Sequence, residues 1–151
     1  MNITELRIGN VVFSNGKAGI VTAIDSVGSV DIDVITNDPE IGERMLKDIE
    51  NVDPAILNEH ALIEFGFSND GYKKGHIGKE FETGSWTFDF VLEEPMHLGE
   101  FNKDYTFELP EHRYINVKYI HQLQNLYFDV TGQELDVSKL RICQTTVLNR
   151  M

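Results

Sequence analysis

Short apolar runs, followed over 29–35 by an alternation of apolar and polar residues with a period of two, predict a small antiparallel meander in the first part of the chain. An apolar run at 11–13 leads into Asn15-Gly16, the dipeptide that best tolerates the positive φ angles of a tight hairpin turn. Strands follow over 17–24 and 29–35. In the second of these, one face carries Val30, Ile32 and Val34.

The next segment is mostly polar and predicts a loop over 36–53, with a helical turn near 43–47. A short helix is predicted at 58–65. Asn58 suits its N-terminus because its side chain can accept a hydrogen bond from a free backbone N–H. Gly66 follows as a residue that ends helices.

The middle of the chain predicts further strands. Residues 67–84 are rich in glycine, lysine, serine and asparagine, which indicates a hairpin or a mobile loop. Aromatic residues then alternate with polar ones, as in a strand, at Trp86, Phe88 and Phe90. Another strand is predicted at 105–109, where it ends before a proline.

The longest apolar stripe predicts a helix near 117–131 that ends at Gly132. Its stripe consists of Val117, Ile120, Leu123, Leu126, Tyr127 and Val130. A short strand at Leu135 and Val137 and a last strand at 140–148 follow. The expected fold is a single α+β domain over 1–151. It has an antiparallel sheet, or a small SH3-like barrel formed by the meander, with both helices packed on the sheet.

Composition restricts the class of protein. The chain has 151 residues, a net charge of −12 and one cysteine, Cys143, which excludes intramolecular disulfides and cysteine-rich zinc sites. The negative charge argues against direct binding to nucleic acid or to anionic lipid. No apolar run is long enough to span a membrane, and the N-terminus lacks the pattern of a signal peptide. A cytoplasmic location is therefore expected.

Acidic residues are concentrated between 80 and 111, where Lys103 is the only lysine and no arginine occurs. One interpretation is a solvated face of a sheet. The other is an acidic patch that imitates a nucleic-acid backbone or binds a basic partner. The acids are Glu80, Glu82, Asp89, Glu93, Glu94, Glu100, Asp104, Glu108 and Glu111.

Motifs for catalysis are missing from the sequence. The five histidines form no pair at metal-binding spacing, and no G-x-S-x-G elbow or phosphate-binding loop occurs. Cys143 lies in an apolar run that is typical of a packed thiol. The sequence therefore predicts neither an enzyme nor a metal or cofactor site.

The segment 112–132 has planar and aromatic side chains that can bind a polar small molecule or a peptide. The alternative is that the amides and tyrosines only attach the helix to the sheet. The candidate ligand- or partner-binding residues are Arg113, Tyr114, Lys118, Tyr119, His121, Gln122 and Asn125, together with Trp86.

Three motifs are similar to those of a group of small uncharacterised proteins encoded in phages, prophages and gut-anaerobe genomes. They are ELRIGN at 5–10, FGF at 65–67 and YIHQLQNLYFDVTGQEL at 119–135. The resemblance implies a phage setting and no established activity. Small acidic phage proteins without catalytic motifs often act by binding, so the leading hypothesis is an accessory protein that binds a host or phage macromolecule.

Two other hypotheses stay open. The first is a protein that sequesters a signalling nucleotide, with aromatic side chains stacked on the base and Arg113 or Lys118 on phosphate. The second is a minor virion assembly protein. A terminal strand at 140–148 could also pair across a two-fold axis and form a homodimer.

Overall fold

The computed structural model describes residues 5–35, 43–95 and 104–140. The first of its two antiparallel sheets has the strand order β4-β3-β2-β1-β5 and curves into a half-barrel. The strands are β1 (Val11–Ser14), β2 (Lys17–Ile24), β3 (Ser29–Val34), β4 (Arg44–Asp48) and β5 (Asp53–Pro54). The predicted meander, given as an antiparallel sheet or small SH3-like barrel, is thus confirmed in outline.

The β1–β2 turn has the conformation that its sequence predicts. Asn15 and Gly16 both have positive φ angles, 53° and 73°, and Ser14 pairs directly with Lys17. A turn with two left-handed residues has the twist that the flanking strands require. The alternation in β3 is also confirmed in part, because Val30 and Ile32 are fully buried.

The prediction of a loop with a helical turn at 43–47 was wrong, because these residues form β4. Each residue of β4 pairs with β3, and Met45 lies opposite Ile32 and packs against its buried cluster. Arg44 lies 3.5 Å from Asp31 across the strand pair. Backbone pairing with a preformed neighbour therefore outweighs the weak strand propensity of Arg-Met-Leu-Lys-Asp. Residues 36–42 lie outside the described ranges.

The second sheet has the order β6-β7-β8-β9. Its strands are β6 (His76–Thr83), β7 (Trp86–Glu93), β8 (Tyr105–Leu109) and β9 (Arg113–Val117). The strands predicted around Trp86 and at 105–109 are confirmed. Within 67–84, which was expected to form a hairpin or a mobile loop, residues 76–83 form β6, the first strand of a hairpin that turns at Gly84-Ser85 and continues into β7.

Helix α1 (Glu59–Glu64) begins and ends as predicted. The Asn58 Oδ1 atom accepts a hydrogen bond from the Ala61 N–H at 2.9 Å. After the helix, Gly66 takes a φ of 96°, a conformation that costs glycine little.

Helix α2 (Ile120–Thr131) ends at Gly132 as predicted but begins later than predicted. Residues 113–117 form β9, which pairs with β8 along its whole length. The Gln122 side chain accepts hydrogen bonds from the backbone N–H groups of Lys118 and Tyr119 and so fixes the start of the helix. Val117 fits the apolar stripe of a helix and the inner face of a strand equally well, so periodicity alone places the boundary wrongly.

The prediction of a strand at Leu135 and Val137 is also wrong. Residues 133–137 run as irregular chain, and Leu135 is buried in the main core instead of pairing in a sheet. The prediction of a last strand at 140–148 lies outside the described ranges beyond Leu140.

Two buried clusters lie on opposite sides of β1, whose four residues are all buried. Val12 belongs to the cluster inside the half-barrel, whereas Val11 and Phe13 belong to the larger core. That larger core also contains both helices and the inner face of the second sheet. Because β1 has no solvent-exposed face, it is a continuous apolar run without alternation.

Polar contacts attach α2 to the N-terminal segment. Gln124, which is 1% exposed, accepts a hydrogen bond from the Val11 N–H at 2.8 Å and donates one to the Gly9 carbonyl at 2.8 Å. The Arg7 guanidinium donates to Asn125 Oδ1 at 2.7 Å and lies over the Phe128 ring. The motif segments 5–10 and 119–135 therefore contact each other in the folded chain.

Replacing Gln124 with alanine is expected to lower the free energy of unfolding by about 2–4 kcal/mol, because the buried Val11 N–H and the partly buried Gly9 carbonyl would each lose a partner. Urea denaturation monitored by circular dichroism measures this change. Asp129→Ala, on the exposed side of the same helix, is the control and should change stability by less than about 0.5 kcal/mol. Equal effects of the two substitutions would contradict the role of Gln124.

Candidate functional site

The structure divides the residues of the predicted helix site among several elements. Lys118, Tyr119, His121 and Gln122 come together where α2 begins, whereas Asn125 lies one turn later and faces the N-terminal segment. Arg113 and Tyr114 lie on the edge strand β9, and Trp86 lies at the tip of the β6–β7 hairpin, 72% exposed.

His121 is buried within the start of α2. Its side chain is 2% exposed, its ring stacks on Tyr119 at a centroid distance of 5.8 Å, and neither ring nitrogen has a hydrogen-bond partner in the described ranges. Desolvation lowers the pKa of His121, and the nearby charge of Glu5 opposes this shift. The imidazole is therefore neutral at pH 7 and faces the protein interior.

We expect the protein to lose stability in acid, because burial disfavours the protonated form of His121. Because its folded-state pKa lies below the ordinary value of 6.5, the unfolded chain binds the proton more readily, and the free energy of unfolding falls as pH drops below that value. His121→Phe should remove this component of the pH dependence, measured by urea denaturation at a series of pH values. His60→Gln, at an exposed position, should leave it unchanged. An identical pH profile for His121→Phe and the parent would refute this assignment.

The β-pairing register places many acidic side chains on the outer face of the second sheet. Directly paired residues of antiparallel strands point to the same side, and Ile77, Phe90 and Leu92 identify the inner side because they are buried in the core. The outer side therefore takes the alternate positions of all four strands. Its carboxylates, which we call the acidic face, are Glu80, Glu82, Asp89, Glu93 and Glu108.

The outward positions of these four strands carry no lysine or arginine, since Lys79 and Arg113 take inner-side positions. The other outward positions are His76, Gly78, Thr87, Val91, Thr106, Tyr114 and Asn116. Glu80 and Asp89 lie directly opposite each other across β6 and β7, an arrangement of like charges that destabilises a sheet.

Two tyrosines are hydrogen bonded to carboxylates of the acidic face. The Tyr72 hydroxyl donates to Asp89 at 3.1 Å, and the Tyr114 hydroxyl donates to Glu108 at 3.4 Å. Burial and the bond to Asp89 raise the pKa of Tyr72 to about 12. The charge of Glu108 raises the pKa of Tyr114. Carboxylates of this face contribute to both shifts, because a nearby negative charge disfavours a phenolate.

The position of Tyr72 depends on Gly78. A Cβ atom at residue 78 would lie 2.6 Å from Cζ of Tyr72, closer than real side chains approach. Glycine at this strand position lets the Tyr72 ring lie directly on the sheet, with its hydroxyl at Asp89.

A cavity of about 270 Å³ opens on the acidic face. Thr106 lies beside it, 2% exposed, and its hydroxyl has no hydrogen-bond partner in the described ranges. The lining side chains are His76, Asp89, Val91, Glu93, Thr106, Phe107 and Glu108. An unpaired hydroxyl next to three carboxylates provides acceptors for a cationic group.

A second cavity, of about 460 Å³, lies along the outer edge of β6. We call it the edge groove, and its opposite wall is the irregular segment after α2. It is lined by Lys79, Glu80, Phe81, Glu82, Thr87, Tyr127, Gln133, Glu134 and Asp136. Neither this groove nor the first cavity includes a residue of the predicted helix site.

The other predicted acidic residues lie away from the acidic face or outside the described ranges. Glu94 follows β7 and accepts a hydrogen bond from Asn69. Asp104 precedes β8, and Glu111 lies in the turn before β9 with a φ of 68°. Glu100 is outside the described ranges.

In the described ranges, no group of three or more histidine, cysteine, aspartate or glutamate side chains could hold a metal ion. Among the described residues, neither helix has the length and hydropathy that a membrane-spanning helix needs.

Comparison of the chain with protein-family models, curated proteins and solved structures yields no match.

The sequence analysis did not identify Tyr72, Thr106 or the segment 133–136 as parts of a candidate site. The alternation that aligns the acidic face is nevertheless present in the sequence, because Glu80 and Glu82 flank Phe81, and Asp89 lies between two phenylalanines. Extending the period of two from β7 into β6 would have placed these acids on one face.

Gly78→Ala should displace the Tyr72 ring and bring the pKa of Tyr72 from about 12 back toward its ordinary value, since the hydroxyl would leave Asp89. Ultraviolet absorbance titration of the phenolate measures this shift. Tyr72→Phe identifies the contribution of Tyr72 to the titration curve of the parent. If Gly78→Ala titrates like the parent, the packing of Tyr72 on Gly78 does not determine its pKa.

Proposed function

We propose that this chain is a non-catalytic, phage-type accessory protein that binds a basic protein partner through the acidic face. The phage setting rests on the sequence motifs alone. The observation that carries the binding role is the alignment of five carboxylates on one side of a single sheet, with no lysine or arginine at the outward strand positions.

The local arrangement of charge favours binding over simple solubility. Solubility requires only that charges be spread over the surface with both signs interspersed. Here Glu80 and Asp89 face each other directly, so the folded state carries a repulsion that a bound cation would relieve. Carboxylates within about 10 Å of one another also add their fields at physiological salt and attract a basic partner from a distance.

The shape and charge of the cavities favour a basic protein over a nucleotide. Both cavities are lined by several carboxylates, which repel phosphate groups. The acidic face also carries an exposed aromatic side chain, Tyr114, which is 55% exposed, and aromatic residues are enriched where proteins bind one another. A basic protein satisfies both features.

Binding of a fluorescent oligolysine peptide, followed by anisotropy at several salt concentrations, tests the proposal. A face variant with Asp89→Asn, Glu93→Gln and Glu108→Gln should bind about tenfold more weakly, because three exposed charge contacts each contribute a fraction of a kcal/mol. Its affinity should also depend less steeply on salt.

The control variant removes the same charge elsewhere, with Glu50→Gln, Asp53→Asn and Asp129→Asn, all at exposed positions. It should bind nearly as well as the parent. Equal loss in the two variants would mean that net charge alone attracts the peptide, and the acidic face would then have no specific role. Saturable binding of a nucleotide that neither variant weakens would favour the sequestering hypothesis instead.

A further inference from the structure

Strand β6 is an edge strand whose outward backbone groups are only partly paired. The N–H and C=O groups of Gly78 both bond to Ser68, at 2.9 Å each, and therefore point away from β7. Backbone direction alternates along a strand, so Glu80 and Glu82 point outward as well. The Glu82 carbonyl accepts a hydrogen bond from the Gln133 side chain at 2.5 Å.

Between these two contacts, the N–H and C=O groups of Glu80 have no partner among the described residues. An unpaired edge of this kind is a template for pairing with another extended chain. Gln133 already occupies the position in which a neighbouring strand would donate to Glu82. Between the Ser68 and Gln133 contacts, the outward N–H and C=O groups of Glu80 are therefore placed to hydrogen bond to an added strand where the edge groove opens.

The edge groove is also negatively charged, which favours a basic occupant. Glu80, Glu82 and Asp136 line it, and hydrogen bonds from Ser138 lower the pKa of Asp136 and keep it ionised. Glu134 lies there too but is paired with Arg7 at 2.9 Å. Even with Lys79 in the groove, carboxylates remain in excess.

The two sides of the groove differ in polarity. Phe81 and Tyr127, whose ring centroids are 6.4 Å apart, form its inner part. Glu80 and Glu82 belong to the outer, acidic side. A strand placed about 4.8 Å from β6 would send alternate side chains to these two sides.

We propose that the edge groove binds an extended basic segment of the partner protein, which adds to the sheet as a new strand beside β6. This rests on the proposed function and specifies its partner. The bound segment alternates lysine or arginine, facing the acidic side, with apolar residues facing Phe81 and Tyr127. Backbone hydrogen bonds to Glu80 give affinity, and the alternating side chains give specificity.

The other edge of the sheet does not combine these features. β9 has the sequence Arg-Tyr-Ile-Asn-Val, which contains no carboxylate, and none of its residues lines either cavity. A basic segment therefore has a reason to choose β6.

The test uses a fluorescent peptide of alternating lysine and valine and the full-length protein. Glu80→Gln removes one charge and keeps the outward N–H, whereas Glu80→Pro removes both. Proline is tolerated on an edge strand where its N–H would face away from the sheet. We expect Glu80→Pro to bind the peptide at least about tenfold more weakly than Glu80→Gln, the loss that corresponds to one backbone hydrogen bond.

A second measurement needs no protein variant and so does not depend on the folding of Glu80→Pro. The same peptide with N-methyl groups at alternate residues keeps its charge and side chains but cannot donate along one edge. The parent protein should bind it at least about tenfold more weakly than the unmodified peptide.

The outcomes separate this inference from the proposed function. If Glu80→Pro and Glu80→Gln bind alike and N-methylation has no effect, strand addition is wrong, and the acidic face is then judged by its own variants. In the opposite outcome, Glu80→Pro and N-methylation of the peptide both weaken binding, while the variant of Asp89, Glu93 and Glu108 binds like its control. That result would refute binding through the acidic face and support strand addition at β6. A dimer of the parent that Glu80→Pro abolishes, seen by sedimentation, would assign the edge to a second copy and overturn the inference.

Discussion

The fold depends on one buried side-chain amide, that of Gln124. This amide hydrogen bonds to the backbone at the point where β1 begins. The Gln124 side chain hydrogen bonds to the buried Val11 N–H and to the partly buried Gly9 carbonyl, two groups that would otherwise lose a partner. The same helix packs its apolar stripe against the second sheet through contacts such as Phe90 with Tyr127. Helix α2 therefore joins the half-barrel to the sheet that carries the acidic face.

Because α2 and the core cover the inner side of the second sheet, its outer side faces solvent. The period of two then brings Glu80, Glu82, Asp89, Glu93 and Glu108 to that side. The repulsion among them is tolerated because the buried inner side, with Phe90 and Leu92, holds the strands together. The proposed binding role thus uses a surface whose stability comes from the opposite side of the same strands.

Local signals in the sequence predicted the elements that local chemistry controls. Asn15-Gly16 predicted the hairpin turn, Asn58 the start of α1 and Gly132 the end of α2, because each acts through its own backbone or side chain. Strands β4 and β9 were missed because they are stabilised by pairing with β3 and β8, and their own residues have only a weak or ambiguous strand pattern. For the candidate site, the sequence identified all five carboxylates of the acidic face. It did not separate them from Glu94, Asp104 and Glu111, because only strand register determines which side a residue takes.

The sequence alone determined an acidic α+β chain with an N-terminal meander, two capped helices and a stretch of nine acids between 80 and 111. These follow from composition, short-range periodicity and capping, which do not depend on distant contacts. The tertiary structure alone decided that Gln124 and Asn125 attach the helix to the N-terminal segment, and that His121 is buried. It also decided that β6 is an edge strand beside a groove. These features arise from contacts between residues far apart in the chain, and a pattern within one segment carries no information about such contacts.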